Sequence, residues 1–448
     1  MEFKSVGSIF DGLKGAVKEL KDGAVEVLDE KLLRGAAIDK LIYNAVFSGN
    51  SEVREYSRGL IKYIGGQLGI RSASIQGLYE AMGRGECAGF TVPAINIRGL
   101  TYDTARAIFR SAMKHDAGSF IFEIAKSEIG YTEQRPAEYT ACCLAAAIKE
   151  GYRGPVFIQG DHFQVNAKKF VADKDAEIAD VKKLVKEAID ADFFNIDIDA
   201  STTVDLSKPS VLEQQRPNFE TTAELTEFIR ANEPAGVTVS VGGEIGEVGG
   251  KNSTEEELRA FMEGFLKSLP KGRKGISKIS IQTGTAHGGV VLPDGSIAKV
   301  KVDFDTIGAL SKVSREVYHL SGVVQHGAST LPDDAFDLFV KKGASEVHLA
   351  TGFQNIVYDN PACPADLKKE IYAHLVASHS DERKPTDTEE QFIYKTRKKG
   401  FGPFKERIWT LPEDRRKAIA AEIEAKVDLY FDKFNCKGNK AAVLKFVK

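Results

Sequence analysis

Eight short apolar runs, separated by longer amphipathic stretches, constrain this chain more than any other feature of its sequence. The runs are Phe90–Ile95, Ser119–Ile124, Pro155–Ile158, Phe193–Ile198, Val237–Val241, Ile279–Ile281, Gly322–Val324 and Glu346–Leu349. Between them, Asp103–Lys114, Ala137–Lys149, Ala176–Ile189, Thr221–Arg230 and Asp333–Lys342 carry helical periodicity. Repeated strand–helix units imply parallel strands joined by right-handed crossovers. Eight such units favour a closed barrel over an open doubly wound sheet. The expected fold is therefore α/β, a (β/α)₈ TIM barrel with helical N-terminal and C-terminal extensions.

The flanks read differently. Residues 1–76 form an expected helical N-terminal extension, with Val17, Leu20, Ala24, Val27 and Leu28 at helical spacing, as are Ile38, Leu41, Ile42 and Val46. Gly49-Asn50-Ser51 reads as a turn with an N-cap at Ser51. The barrel is expected over 77–384. Residues 385–448 are rich in Lys, Arg and Glu, and form an expected helical C-terminal extension that either closes over the active site or contacts another subunit. A homo-oligomer is expected.

Composition removes several function classes. The 61 Lys+Arg and 64 Asp+Glu nearly cancel, which gives no basis for a nucleic-acid or anionic-membrane partner. No apolar run is long enough to span a bilayer, and the first residues lack a signal-peptide pattern, so a cytoplasmic location is expected. The five cysteines form no CxxC pair and read as reduced thiols.

In such a barrel the chemistry lies on loops after the C-terminal ends of the strands. Those loops carry Gly160-Asp161-His162, Asp197-Ile198-Asp199-Ala200-Ser201, Gly243-Glu244-Ile245-Gly246, Ala286-His287-Gly288-Gly289 and Gln325-His326-Gly327-Ala328-Ser329-Thr330. His162, His287 and His326 thus occupy equivalent rim positions, where three imidazoles suit Zn2+ or another divalent cation and leave positions open for substrate oxygens. Any one of them alone reads as structural; the three together point to a metal. Gly288, Gly289, Gly327, Ala328, Ser329 and Thr330 offer backbone N–H and hydroxyl donors to a phosphate, although turn geometry explains most glycine-rich loops. Asp161 reads either as an acid or base facing substrate, or as a helix cap or partner of a ligand histidine.

These motifs, in this order, resemble the class II, metal-dependent fructose-bisphosphate and tagatose-bisphosphate aldolases. Pro93-Ala94-Ile95-Asn96-Ile97 is similar to the opening strand and Lys126-Ser127-Glu128 to the serine motif after strand two. The resemblance implies a zinc ion on His162, His287 and His326, with Asp199 and Glu244 as ligands of a second or displaced metal position. It implies Asp161 as the catalytic proton carrier, and a phosphorylated ketose as the partner. Substrate or phosphate contacts would fall on Asn96, Ser127, Gly288, Gly327, Ala328, Ser329, His348 and Thr351. The implied reaction is retro-aldol cleavage of fructose 1,6-bisphosphate to dihydroxyacetone phosphate and glyceraldehyde 3-phosphate.

Three departures from the pattern stand out. Asn252 occupies the place of an expected carboxylate in the strand-five loop, with Glu255 to Glu257 slightly further on. His348 and Ala350 replace the expected asparagine and aspartate after strand eight. Both terminal extensions exceed the usual core. Alternative readings are therefore a tagatose-bisphosphate aldolase, a sugar-phosphate 4-epimerase using the same bond cleavage, and a non-catalytic barrel subunit. Lys398, Lys405 and Arg407 are the basic candidates for holding a second phosphate.

Overall fold

The computed structural model describes residues 2–20, 23–246, 250–284, 292 and 302–447. Its centre is a closed barrel of eight parallel strands, each overlapping one of the apolar runs. They are β1 (Val92–Asn96), β2 (Ile121–Ala125), β3 (Gly154–Gln164), β4 (Asn195–Asp199), β5 (Ser240–Glu244), β6 (Lys278–Ile281), β7 (Val323–Gln325) and β8 (Glu346–Leu349). Each pairs in parallel with its sequence neighbour, and β8 closes the circle on β1, with His348 opposite Ala94. β1, β2, β4, β5, β6, β7 and β8 are buried along their whole length, because helices cover the outside and side chains fill the inside.

The crossover helices include Thr101–His115, Pro136–Glu150, Lys174–Asp190, Val211–Asn232, Glu255–Ser268 and Phe304–Tyr318. Local sequence fixes several of their ends. Thr254 and Glu257 form a capping box, Asp173 caps Lys174–Asp190, and Pro136 stands at the first position of its helix, where its missing N–H costs nothing.

β3 carries the decisive irregularity. Its pairing with β4 shifts register between Gly160 and Phe163, and His162 inside that bulge has φ +40. A bulge inserts an extra residue and re-aims the side chains around it. Here Phe163 turns back beneath Gly160, whose absent Cβ would lie 2.4 Å from the Phe163 ring. Gly160 therefore makes room for the bulge that presents Asp161 and His162.

The end of the barrel opposite the site is closed by the helix Gln76–Gly83. A short strand, Ile70–Ala73, leads into it by pairing with the first half of β3. Tyr79 of this helix hydrogen-bonds Glu346, and Asn195 Oδ1 accepts from Ile75 N at 2.9 Å. Phe446 and Val447 pack against the same apolar cluster.

The N-terminal segment departs locally from the helical reading. Val17–Glu19 and Val25–Val27 form an antiparallel pair, and Gly23 between them has φ +80. Their apolar residues fit a helical period but serve a hairpin. Helices Ile38–Phe47 and Ser51–Gln67 follow; the cap of the second is Asn50, whose Oδ1 accepts from Glu52 N at 3.0 Å, rather than Ser51.

The C-terminal segment is helical and packs on the barrel's flank. Glu413–Lys433 lies along Thr101–His115, where Arg110 pairs with Glu424 at 2.6 Å and Asp428 receives Ser111 and Lys114, both at 2.6 Å. Nearer the site, the ring of Phe401 rests on Gly99, where a Cβ would approach it to 2.2 Å. All five cysteines are free and buried.

Candidate active site

The C-terminal ends of the strands surround a cavity of about 540 Å³. Ten residues named from sequence as site candidates line it: Asn96, Ser127, Asp161, His162, His326, Gly327, Ser329, His348, Thr351 and Lys398. Ala350 lines it too, so the methyl group that replaces an expected carboxylate faces the cavity. Ala328 is fully buried and does not line it. His287 and Gly288 lie outside the described residues.

Asp161 stands between two strands that orient it. Asn96 of β1 donates to its Oδ2 at 2.8 Å, and Nδ1 of His348 on β8 lies 3.2 Å from its Oδ1. Burial alone would raise this carboxyl, but the neighbouring charges of His162 and His348 outweigh burial and hold it well below the ordinary carboxylate range. Asp161 is thus a buried carboxyl that accepts from Asn96 and borders the cavity. It is neither a helix cap nor lost in the core.

His162 is held from behind. Its Nδ1 lies 3.2 Å from Asp199 Oδ2 and 3.1 Å from Glu244 Oε2. Asp199 is further fixed by Ser201 Oγ at 2.7 Å and Gln164 Nε2 at 2.6 Å. Burial works against the charged form of His162, but Asp161 and Glu244 overcome it and raise its pKa well above the ordinary histidine value. Burial, with the nearby charge of Asp199, pushes the Glu244 carboxyl up to about 7. His326 sits between two imidazoles at tilted angles, its ring centroid 4.2 Å from that of His162 and 4.1 Å from that of His348.

The donor set fits a divalent cation. Ligand atoms of His162, Glu244 and His326 all lie within 4.8 Å of one another, and so do those of Asp161, His326 and His348. Two imidazole nitrogens of residues lining the cavity, with a buried carboxylate oxygen beside them, suit zinc and its neighbours, and a carboxylate on Nδ1 of a ligand histidine fixes the ring. Asp199, which the resemblance implies as a ligand of a second or displaced metal position, has both oxygens hydrogen-bonded by His162, Gln164 and Ser201.

Beneath the site the barrel interior is charged. Lys278 at the start of β6 reaches Glu346 Oε1 at 2.6 Å, Gln159 Oε1 at 2.8 Å and Asp197 Oδ2 at 2.9 Å. Gly242 makes room for this pair, since a Cβ there would lie 2.3 Å from Asp197 Oδ1. Burial opposes the charge on Lys278, but the two carboxylates outweigh it and raise the ammonium above its ordinary value. A lysine held protonated by two carboxylates is a poor carbonyl nucleophile, so Schiff-base chemistry finds no candidate there.

Sequence reasoning missed Arg98, Glu128, Tyr131, Gln164 and Asn166, all of which line the cavity. The signal for Arg98 was its place two residues after Asn96, which by strand alternation sends both side chains the same way. Of the three basic residues named for a second phosphate, Lys398 lines the cavity, whereas Lys405 pairs with Glu138 at 2.8 Å and Arg407 pairs with Glu370. Asn252 donates to Asp303 at 2.9 Å, and Glu257 is spent on capping its helix.

The sequence profile of the class II fructose-bisphosphate aldolases matches residues 78–436. This chain belongs to that family. The matched span runs from the helix closing the barrel through most of the C-terminal helices, so this barrel is that of a lyase; the family is generally metal-dependent, and the donor cluster could hold a metal ion. Solved structures resemble this chain at low identity. A Sinorhizobium meliloti protein named as a tagatose 6 phosphate kinase is 15% identical, covers 79% of this chain and 93% of its own, and has a TM-score of 0.52. The fructose-bisphosphate aldolase of Campylobacter jejuni is 18% identical over 82% of this chain and 96% of its own, with a TM-score of 0.48. The YdjI aldolase of Escherichia coli K12 is 13% identical over 82% and 99%, with a TM-score of 0.45. No curated protein matches the chain significantly. Among the described residues no helix is long and apolar enough to cross a membrane.

Proposed function

We propose that this protein is a zinc-dependent aldolase that reversibly cleaves fructose 1,6-bisphosphate into dihydroxyacetone phosphate and glyceraldehyde 3-phosphate. The observation that carries this reading is the placement of the Asp161 carboxylate, held by Asn96 and His348, at the wall of the cavity lined by His162 and His326, whose ring nitrogens cluster with the Glu244 carboxylate.

His162, Glu244 and His326, with His287, would hold the cation; Asp199 fixes the His162 ring behind it. The bound cation supplies Lewis-acid stabilisation of the negative charge that develops on the ketose oxygens. Asp161 accepts the proton of the C4 hydroxyl, the C3–C4 bond breaks, and C4 leaves as the aldehyde. The electron pair of that bond stays with the ketose half, and a proton returned to C3 completes dihydroxyacetone phosphate. Asn96 and His348 keep Asp161 aimed at the hydroxyl. Gly327 and Ser329, beside the N-terminus of the helix Thr351–Asp359, would hold the phosphate next to the carbonyl. Ser127 and Thr351 complete the contacts with substrate. A homo-oligomer and a cytoplasmic setting belong to the same reading.

A second reading is favoured by one observation: Ala350 faces the cavity where a hydroxyl-binding carboxylate is expected. A sugar-phosphate 4-epimerase, or a tagatose-bisphosphate aldolase, would use the same cleavage with different hydroxyl recognition. Incubation with fructose 1,6-bisphosphate, with metal content and triose phosphates measured before and after chelation, separates these readings. Triose release that disappears on chelation and returns with zinc is expected. Isomeric ketoses without trioses would replace the aldolase by the epimerase, and turnover untouched by chelation would overturn both.

A further inference from the structure

We infer that Glu128 and Arg98 are positioning residues, which act through Asn96 to hold the Asp161 carboxylate in register with the helix Thr351–Asp359. The inference deepens the aldolase reading and rests on it for the reaction that Asp161 serves.

The link starts at the Asn96 amide. Its Nδ2 donates to Asp161 Oδ2 at 2.8 Å and to Glu128 Oε2 at 2.9 Å. An amide NH2 carries two hydrogens, and each carboxylate takes one. The flipped amide would turn its oxygen toward both carboxylates, so Glu128 fixes which side of the Asn96 amide meets Asp161. Asn96 and Glu128 are 2% and 3% exposed, and little water competes for these bonds.

Glu128 is held in turn by its other oxygen. Oε1 accepts from Arg98 Nε at 2.6 Å, and Arg98 Nη1 donates to Gln354 Oε1 at 2.7 Å and Thr351 Oγ1 at 3.4 Å. The next residue of that helix, Gly352, donates its N–H to Ser329 Oγ at 3.1 Å. A chain of hydrogen bonds therefore runs from Asp161 to Thr351, and Ser329 is bonded to the same turn of helix. Thr351 and Ser329 are the residues proposed above to contact substrate. The group that moves the proton and the groups that hold the sugar phosphate are thus parts of one connected frame.

Glu128 also caps the short helix Lys126–Tyr131, where Oε2 accepts from Ala125 N at 2.9 Å. Capping uses one oxygen. It explains neither the pairing of the other oxygen with Arg98 nor the reach of Arg98 to Gln354. A buried carboxylate needs a cation and several donors, and Arg98 with the two N–H groups supplies them. The pair is neutral as a whole, so it braces Asn96 without adding net charge beside the base. Rigidity matters there, because a misplacement of about 1 Å at a reacting group costs on the order of a hundredfold in rate.

The test uses full-length, zinc-loaded protein and fructose 1,6-bisphosphate. In Glu128→Leu, which removes both acceptor oxygens, kcat is expected to fall about 10- to 100-fold with KM and zinc content unchanged. Arg98→Met, which keeps the cap, is expected to lose about tenfold in kcat, and Arg98→Lys to recover most of that loss. Asn96→Ala already breaks the link, so adding Glu128→Leu or Arg98→Met to it is expected to cost nothing further. Losses that multiply in the double variants, losses confined to KM, or an unchanged kcat overturn the inference. If Glu128→Leu does not fold, Arg98→Met and its double variant with Asn96→Ala decide in the same terms. If wild type cleaves no ketose phosphate, the aldolase reading has failed, and crystal structures of the folded variants decide the positioning alone. An Asn96 amide turned away from Asp161 supports it; a bond unchanged at 2.8 Å overturns it.

Discussion

Nδ1 of His348 lies 3.2 Å from Oδ1 of Asp161, so the residue replacing an expected asparagine touches the residue proposed to move the proton. The other ring nitrogen lies 2.6 Å from Glu346 Oε1. A histidine held at both nitrogens has one orientation, and it passes that orientation to Asp161.

Replacing Asp161 by Asn keeps the shape and removes the base. In Asp161→Asn, kcat is expected to fall by about 10²- to 10⁴-fold, the usual contribution of a positioned general base, while bound metal stays at the wild-type level. Steady-state kinetics with metal analysis of the same sample checks this. Undiminished turnover would remove Asp161 from the mechanism.

A cation on His162, Glu244 and His326 binds the folded state alone and therefore stabilises it. Zinc at about a hundred times its dissociation constant is expected to add about 2.7 kcal/mol and to raise the thermal midpoint. In His326→Ala, which deletes a ligand shared by two donor groups, most of that rise is lost. Equal shifts in both proteins would place the metal elsewhere.

The buried Lys278–Glu346 pair gives a stability prediction. Lys278→Met strands the Glu346 and Asp197 carboxylates without their cation and is expected to cost about 3–5 kcal/mol in urea unfolding. Adding Glu346→Gln removes one of the stranded charges, so the double variant is expected to be more stable than the single. A double variant at the sum of the two single losses would show that the residues act independently.

Asp428 ties the C-terminal helix to Thr101–His115. Burial tends to raise its carboxyl, but Lys114, Ser111 and His115 lower it below its ordinary value. A depressed carboxylate stabilises the fold above its unfolded pKa, and this contribution is lost as pH falls through the folded pKa. Asp428→Asn is expected to cost about 1 kcal/mol at neutral pH, a difference that closes below about pH 4. Thermal melts across that range read it directly, and a gap that widens in acid would contradict the assignment.

Much of the barrel was legible because its strands are buried on both faces and stand out as continuous apolar runs. The rim motifs were legible because strand ends place chemistry at predictable positions: Asp161 and His326 stand at one cavity for that reason. The hairpin at 17–27 was misread because Val17, Leu20, Ala24 and Val27 satisfy a helical period by chance, while Asp22-Gly23 carried the turn signal. The pairing of Lys278 with Glu346 was not legible at all. It depends on the barrel's internal packing, where the first residues of β6 and β8 meet across the interior. Arg98 and Lys398 were obscured in a similar way, since three hundred positions separate them and only the docked arm brings them together.

Lys398 reaches the cavity only after the helices Thr351–Asp359, Ala365–His379 and Glu389–Thr396 have followed the last barrel strand. On the ribosome, every strand of the barrel is therefore made before this lysine is added. A chain interrupted after His379 would carry Asp161, His162, His326 and His348 without Lys398 at their cavity. It would also lack Phe434, whose carbonyl accepts from Thr91 N at 3.0 Å beside β1, and the packing of Phe446 and Val447 at the barrel's closed end.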